Sequence, residues 1–146
     1  MSDLAIRSAT PDDALACAAI MNAWIDETNW LPRIHPRKDI EARYQNFVIK
    51  NRKVFVVGDP VEGYLSFDSE DGEVTSLFVN RKGEGIGKRL LDHVKGQADR
   101  LSLWTFENNT GARRFYAREG FVEVQRTSGE NEEGLPDVQL IWERKV

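Results

Sequence analysis

The sequence holds one cysteine, Cys17, so it can build neither an internal disulfide nor a thiolate metal cluster, and nothing in it requires an oxidising compartment. Positive charge is not in excess. Twenty Lys and Arg stand against 24 Asp and Glu, and a net charge of −4 excludes a chain-wide attraction to nucleic acid or anionic lipid. Any phosphate must therefore be gripped locally. No stretch approaches the ~20 apolar residues of a membrane span, and Met1 to Arg7 lack the basic start and apolar run of a signal peptide. The expected location is cytoplasmic. Repeats, linkers and low-complexity tracts are absent as well, and 40% hydrophobic residues suffice for one compact core, so a single domain over 1–146 is expected.

A short alternating segment around Leu4 and Ile6 predicts a strand. Thr10, Pro11, Asp12 and Asp13 then supply a cap, a first-turn proline and acidic residues for a helix ending near Thr28 or Asn29. Trp30 to Pro36 reads as irregular, because prolines at 32 and 36 disfavour helix before each, and a second helix is expected after Pro36. Val54–Val57 and Gly63–Asp68 predict a hairpin, and Glu73–Asn80 a further strand, apolar enough on both faces to be central. A glycine-rich turn leads into a helix over Gly85–Asp99 with Ile86, Leu90, Leu91, Val94 and Ala98 inward. Leu101–Phe106 predicts a strand with Trp104 and Phe106 in the core, and Asn109–Glu119 a helix stopped at Gly120. A last hairpin, Phe121–Thr127 with Val138–Arg144, encloses the acidic loop Ser128–Asp137, and its exposed edges are a candidate pairing surface for a homodimer.

Chemistry concentrates at Lys82, Gly83, Glu84, Gly85, Ile86, Gly87 and Lys88. The turn joins a strand to a helix, where unpaired backbone N–H groups and the positive end of the helix dipole meet an anion. Glycines let the main chain approach a pyrophosphate closely. Such a turn also serves as a plain connection. Two nucleotide fingerprints fail: a Walker loop needs a glycine where Lys82 stands and Ser or Thr where Arg89 stands, and a dinucleotide motif needs its third glycine at Lys88 or Leu90.

Two separated motifs carry a family resemblance. Leu77, Phe78 and Val79 followed by Lys82–Gly87 and then Lys88, Arg89, Leu90, Leu91 resemble the acetyl-CoA-binding strand, loop and helix of the GNAT N-acetyltransferases. Asn109, Ala112, Phe115, Tyr116, Gly120 and Phe121, about 30 residues on, are similar to that family's N-x-x-A-x-x-(F/L)-Y-x-x-x-G-F helix. The resemblance implies an α+β (α/β) fold: a mixed, mostly antiparallel central sheet of six to seven strands flanked by about four helices. It also implies transfer of an acetyl group from acetyl-CoA to a primary amine by direct attack in a ternary complex, with no metal. The alternative is a non-catalytic acyl-CoA-binding sensor of the same fold. Lys82 replaces the family's usual Arg or Gln, the link from Val79 to Gly83 is two residues short of the common form, and Trp104 stands where many relatives that modify protein N-termini carry Glu.

By resemblance, backbone groups of Leu77 to Val79 pair with the pantetheine arm and Asn109 hydrogen-bonds it, although Asn109 reads equally as a helix N-cap. Tyr116 takes the place of the proton donor to the departing thiolate, and its other reading is a packed residue beside Phe115. For the base, Glu73 stands where some relatives carry a catalytic Glu, with Asp68 and a water chain as competitors and a plain surface carboxylate as the other reading. Trp30, Arg33 and His35 border the implied acceptor site. Glu130, Glu132, Glu133 and Asp137 are placed to attract a cationic amine or to be a solvated loop. The acceptor itself, a small molecule or a peptide, is not encoded in any motif.

Overall fold

The computed structural model of the chain describes residues 5–80 and 83–145. Seven strands form one sheet in the order β1-β2-β3-β4-β5-β7-β6: β1 Ile6–Ser8, β2 Lys53–Val57, β3 Gly63–Asp68, β4 Glu73–Val79, β5 Arg100–Phe106, β6 Val122–Thr127 and β7 Asp137–Glu143. Every neighbouring pair is antiparallel except β4 with β5. The expected mixed, mostly antiparallel sheet is present. Leu4, expected in the first strand, lies outside the described residues.

β2 shows why the middle of the sheet reads as a continuous apolar run. Val54 and Val56 pack on one face, Phe55 and Val57 on the other, and all four are buried. A strand covered on both sides has no polar face to show. One cover is α1, Ala14–Glu27, with α2, Arg37–Arg43. The other is α4, Ile86–Lys95, with α5, Thr110–Arg118.

The chain enters α1 through a 3-10 turn, Pro11–Asp13, held by one carboxylate. Asp13 accepts from the backbone N–H of Thr10 at 2.8 Å and from both terminal nitrogens of Arg7 at 2.7 and 3.0 Å, tying β1 to the helix start. Beyond Pro36, α2 continues through a π-helical stretch, Tyr44–Val48, into a last turn α3, Ile49–Asn51. α4 is shorter than the Gly85–Asp99 expected: Gly96, a poor helix former, stands at its C-cap. Ala98 still packs on the core.

One core expectation fails. Trp104 is 39% exposed, because Leu101 and Leu103 take the face covered by α4 and α5 and alternation turns Trp104 to the opposite face, outside both buried clusters. Phe106 is half-buried.

Candidate functional site

The site begins with a gap in the sheet. β4 and β5 pair only at Glu73 with Ser102, where the Gly72 carbonyl accepts from the Ser102 N–H at 2.9 Å. Towards Val79 the β5-facing edge of β4 has no strand partner among the described residues. A bulge contributes: Ser66 pairs with Ser76 but Phe67 pairs with Val74, leaving Thr75 as an extra residue that bends β4. Aromatic rings bridge the opening where the ladder does not. Phe78 lies 4.8 Å from Trp24, Trp24 6.5 Å from Trp30, and Trp30 5.7 Å from Phe106. Leu77, Phe78 and Val79 are half-buried along this edge.

On the α4 side the opening meets the glycine turn. Gly83 and Gly85 adopt φ of +81° and +75°, and a Cβ at either would meet nothing within 4 Å. Their open sides form a cradle at the start of α4, whose N-cap, Gly85, offers no side-chain bond to the first helical N–H groups. Gly87 differs: a Cβ there would touch the Phe115 ring at 3.5 Å, so it sets the approach of α4 to α5. Glu84 is exposed and Ile86 anchors the helix in the core. Lys88 binds Glu119 at 3.1 Å and Asp92 at 3.2 Å, which raises its pKa, Glu119 first, and directs its ammonium along the helix rather than over the cradle. Lys82 lies outside the described residues.

Asn109 caps α5, its Oδ1 accepting from the Ala112 N–H at 3.2 Å. Its Nδ2 donates to no protein group among the described residues, so a cap and a ligand contact are compatible. Tyr116 is buried against Phe115 and Phe121 at 5.2 and 5.4 Å. Its hydroxyl has no hydrogen-bond partner among the described residues, and burial alone pushes its pKa well above the usual phenol range.

Glu73 sits at the closed end of the opening. Burial first, then Asp68 and Asp71, raise its carboxyl pKa, while Arg52 opposes them. Asp68 is occupied: it accepts from the N–H groups of Glu70 and Asp71 at 3.1 and 3.3 Å and pairs with Arg52 at 3.4 Å.

On the opposite, α1 and α2 side lies a cleft of about 510 Å³. Trp24, Ile25, Ile40 and Tyr44 form apolar walls, and Ser66, Thr75 and Ser76 reach it from the bulge. His35 lines it and contacts Glu132 across the mouth at 2.7 Å, joining two loops 97 residues apart. Glu133 lines it as well. Glu130 and Asp137 do not; both hydrogen-bond Thr127 and shape the loop. Trp30 belongs to the aromatic bridge. Arg33 is spent on tying its loop to α1, donating to the Asn22 side chain at 2.9 Å and Asp26 at 2.8 Å as well as to the His35 carbonyl at 3.0 Å. Sequence reasoning missed Tyr44, Arg43 and Arg52. The Tyr44 hydroxyl meets that of fully buried Tyr64 in a short hydrogen bond and contacts the Met21 sulfur at 3.2 Å. Only the polar tips on an otherwise apolar helix face hinted at this.

Comparison with known proteins agrees with the fold. A family model described as "Acetyltransferase (GNAT) domain" matches residues 19–143. No curated protein matches the chain. Among solved structures, the chain superimposes on the apo-form of YjaB from Escherichia coli with a TM-score of 0.78 at 21% identity, covering 97% of this chain and 99% of that one. YncA from Salmonella typhimurium, solved with its cofactor acetyl-CoA, gives 0.73 at 20% identity, covering 99% and 96%. A ribosomal-protein-alanine N-acetyltransferase from Brucella melitensis gives 0.74 at 22% identity, covering 96% and 99%.

Proposed function

The chain belongs to the GNAT acetyltransferase family, and on that premise we propose that it moves an acetyl group from acetyl-CoA directly to a primary amine, with donor and acceptor bound together. The observation that carries this reading is the β4–β5 opening, a break in the sheet that has the glycine cradle on its α4 side and the 510 Å³ cleft on its α1 and α2 side. Two reactants entering from opposite faces meet there without exchanging places. Proximity of that kind replaces a bimolecular encounter with a positioned one.

Acetyl-CoA supplies an activated acyl thioester. The first N–H groups of α4 with Gly83 and Gly85 hold its diphosphate. The unpartnered edge of β4 pairs with the pantetheine as an added strand, and Asn109 donates to it through Nδ2. One β4 N–H steadies the acyl oxygen. Tyr116 remains a neutral phenol, and with its pKa raised so far above a thiol near ~8.5 it acts by hydrogen-bonding the departing sulfur rather than by standing as a strong acid.

Glu73 accepts the proton of the attacking amine. At about 3.3 Å per residue it stands roughly 13 Å from Leu77, so the proton crosses intervening water. An acyl-enzyme on the single cysteine is disfavoured: Cys17 is fully buried, which pushes its thiol up to about 12. The test is release of free thiol when purified protein meets acetyl-CoA and a panel of amines. Binding of acetyl-CoA without amine-dependent release identifies a sensor and sinks the enzymatic reading.

A further inference from the structure

The cleft on the α1 and α2 side holds two arginines stacked on one aromatic ring. Arg43 and Arg52 place their guanidinium carbons 4.7 and 5.1 Å from the centroid of one ring, Phe47. Two like charges are thereby held no more than about 10 Å apart, within mutual repulsion at ordinary ionic strength. Both line the cleft. Arg52 has a counter-charge in Asp68 at 3.4 Å. Arg43 has none: among the described residues it makes no ion pair and no hydrogen bond, and the aromatic face is its support. Arg43 stands one helical turn before Phe47 on the same helix face, and the stretch buries Tyr44 and Val48 while Phe47 stays half-exposed between the two arginines.

The other charged groups of the cleft have the opposite sign. Glu132 and Glu133 sit at the mouth beside His35, and Asp39 lies one helical turn before Arg43. The mouth is therefore acidic, and the two guanidinium groups supply the positive charge of the cleft. Serine and threonine side chains at positions 66, 75 and 76 line it as well.

We propose that the acceptor is an amino-acid-sized molecule carrying a carboxylate as well as the reacting amine, and that Arg43, seconded by Arg52, binds the carboxylate. This rests on the acetyl-transfer reading above. Arginine presents a fork of N–H donors that matches a carboxylate in two parallel bonds. The acidic mouth favours the ammonium end and the amine is delivered towards the β4–β5 opening. A polyamine or an uncharged arylamine would leave the Arg43 guanidinium without a counter-charge.

The experiment measures thiol release from acetyl-CoA with each standard amino acid and with its methyl ester, for the wild type and for Arg43→Gln and Arg43→Lys. Arg43 is exposed, so neither substitution disturbs the core. The expected result is a preference of at least about tenfold in kcat/KM for the free acid over its ester, the size of one charge-assisted hydrogen bond. Arg43→Gln should collapse that preference towards unity mainly through KM, and Arg43→Lys should restore part of it. Esters or simple amines turned over as well as the acids overturn the proposal while leaving acetyl transfer intact. If no amine releases thiol, the transfer reading has failed, and the anion site is judged by quenching of tryptophan fluorescence, Trp24 lining the cleft, during titration with the same amino acids. Saturation weakened about tenfold by Arg43→Gln upholds the site; no saturable change overturns it.

Discussion

The Trp30 indole meets the Phe106 ring edge-on at 5.7 Å, and this contact, reached from Phe78 through Trp24, spans the sheet where hydrogen bonding between β4 and β5 has stopped. Aromatic pairs of this geometry are worth about 0.5–1.5 kcal/mol beyond burial. They stiffen the rim of an opening that has to stay open.

Trp30→Ala should loosen that rim. Trp30 is half-buried, so the expected cost is about 2 kcal/mol, below that of a fully buried aromatic. Acceptor KM should rise severalfold while affinity for acetyl-CoA, held on the other face, changes little. Thermal unfolding and separate titrations of the two substrates check this. Equal losses for both would show that the bridge supports the whole opening rather than its acceptor rim.

Much of the architecture was legible because it repeats with a period. The stripe of Ile86, Leu90, Leu91 and Val94 at helical spacing announces its inward face, and the unbroken apolar run Val54–Val57 announces a strand. Trp104 was misread because burial of a strand face depends on whether a helix covers it, which alternation does not reveal. The glycine turn was legible as a motif, but not that Gly83 and Gly85 face open space while Gly87 faces Phe115. The cleft was the least legible part. Arg43, Phe47 and Arg52 bring two cations onto one ring, and nothing in the local residue pattern shows that both side chains turn that way.

Gly85→Ala separates the two glycine roles. At φ of +75° a Cβ costs about 1 kcal/mol of stability, and it would stand in the cradle. Acetyl-CoA affinity should fall about tenfold, the loss of one close anion contact. Gly87→Ala, with helical backbone and an ordinary 3.5 Å contact to Phe115, should retain that affinity within about twofold. Calorimetric titration of both variants with CoA decides it, and equal losses would remove the cradle from the argument.

Tyr116→Phe should lower kcat by about a hundredfold, the lower end for loss of a positioned proton donor, with CoA affinity nearly intact. Because burial holds the phenol protonated well beyond its ordinary range, it should contribute no alkaline fall in rate up to pH ~10. A wild-type alkaline limb that disappears in the variant would contradict the assigned environment.

Asp13→Asn tests the joint between β1 and α1. The Asp13 pKa is lowered, first by its hydrogen bonds from Arg7 and then, against the effect of burial, by Thr10. A carboxylate lowered in the folded state adds stability that is fully present above its unfolded pKa and is lost as pH falls through the folded one. The substitution should therefore cost about 1–2 kcal/mol at pH 7, the lower end for a charged hydrogen bond because Arg7 is 41% exposed. The difference should shrink in acid below pH ~4. Unfolding midpoints measured across that range check the sign.

Glu73→Gln is the most informative change because catalysis and stability move in opposite directions. As a base, Glu73 works only when ionised, and its raised pKa places the acid limb of kcat/KM above the ordinary carboxylate range. The variant should lose turnover and lose that limb with it. For stability the sign reverses. A carboxylate whose folded pKa is raised contributes favourably below its unfolded pKa, and that contribution is lost as pH rises through the folded value, so at pH 7 the charge is a burden beside Asp68 and Asp71. Glutamine removes the charge and keeps the shape, and the unfolding midpoint at pH 7 should hold or rise. A variant that is more stable and inactive assigns the base. One that is more stable and fully active makes Glu73 a tolerated strain at the closed end of the opening, and the proton must then leave by another route.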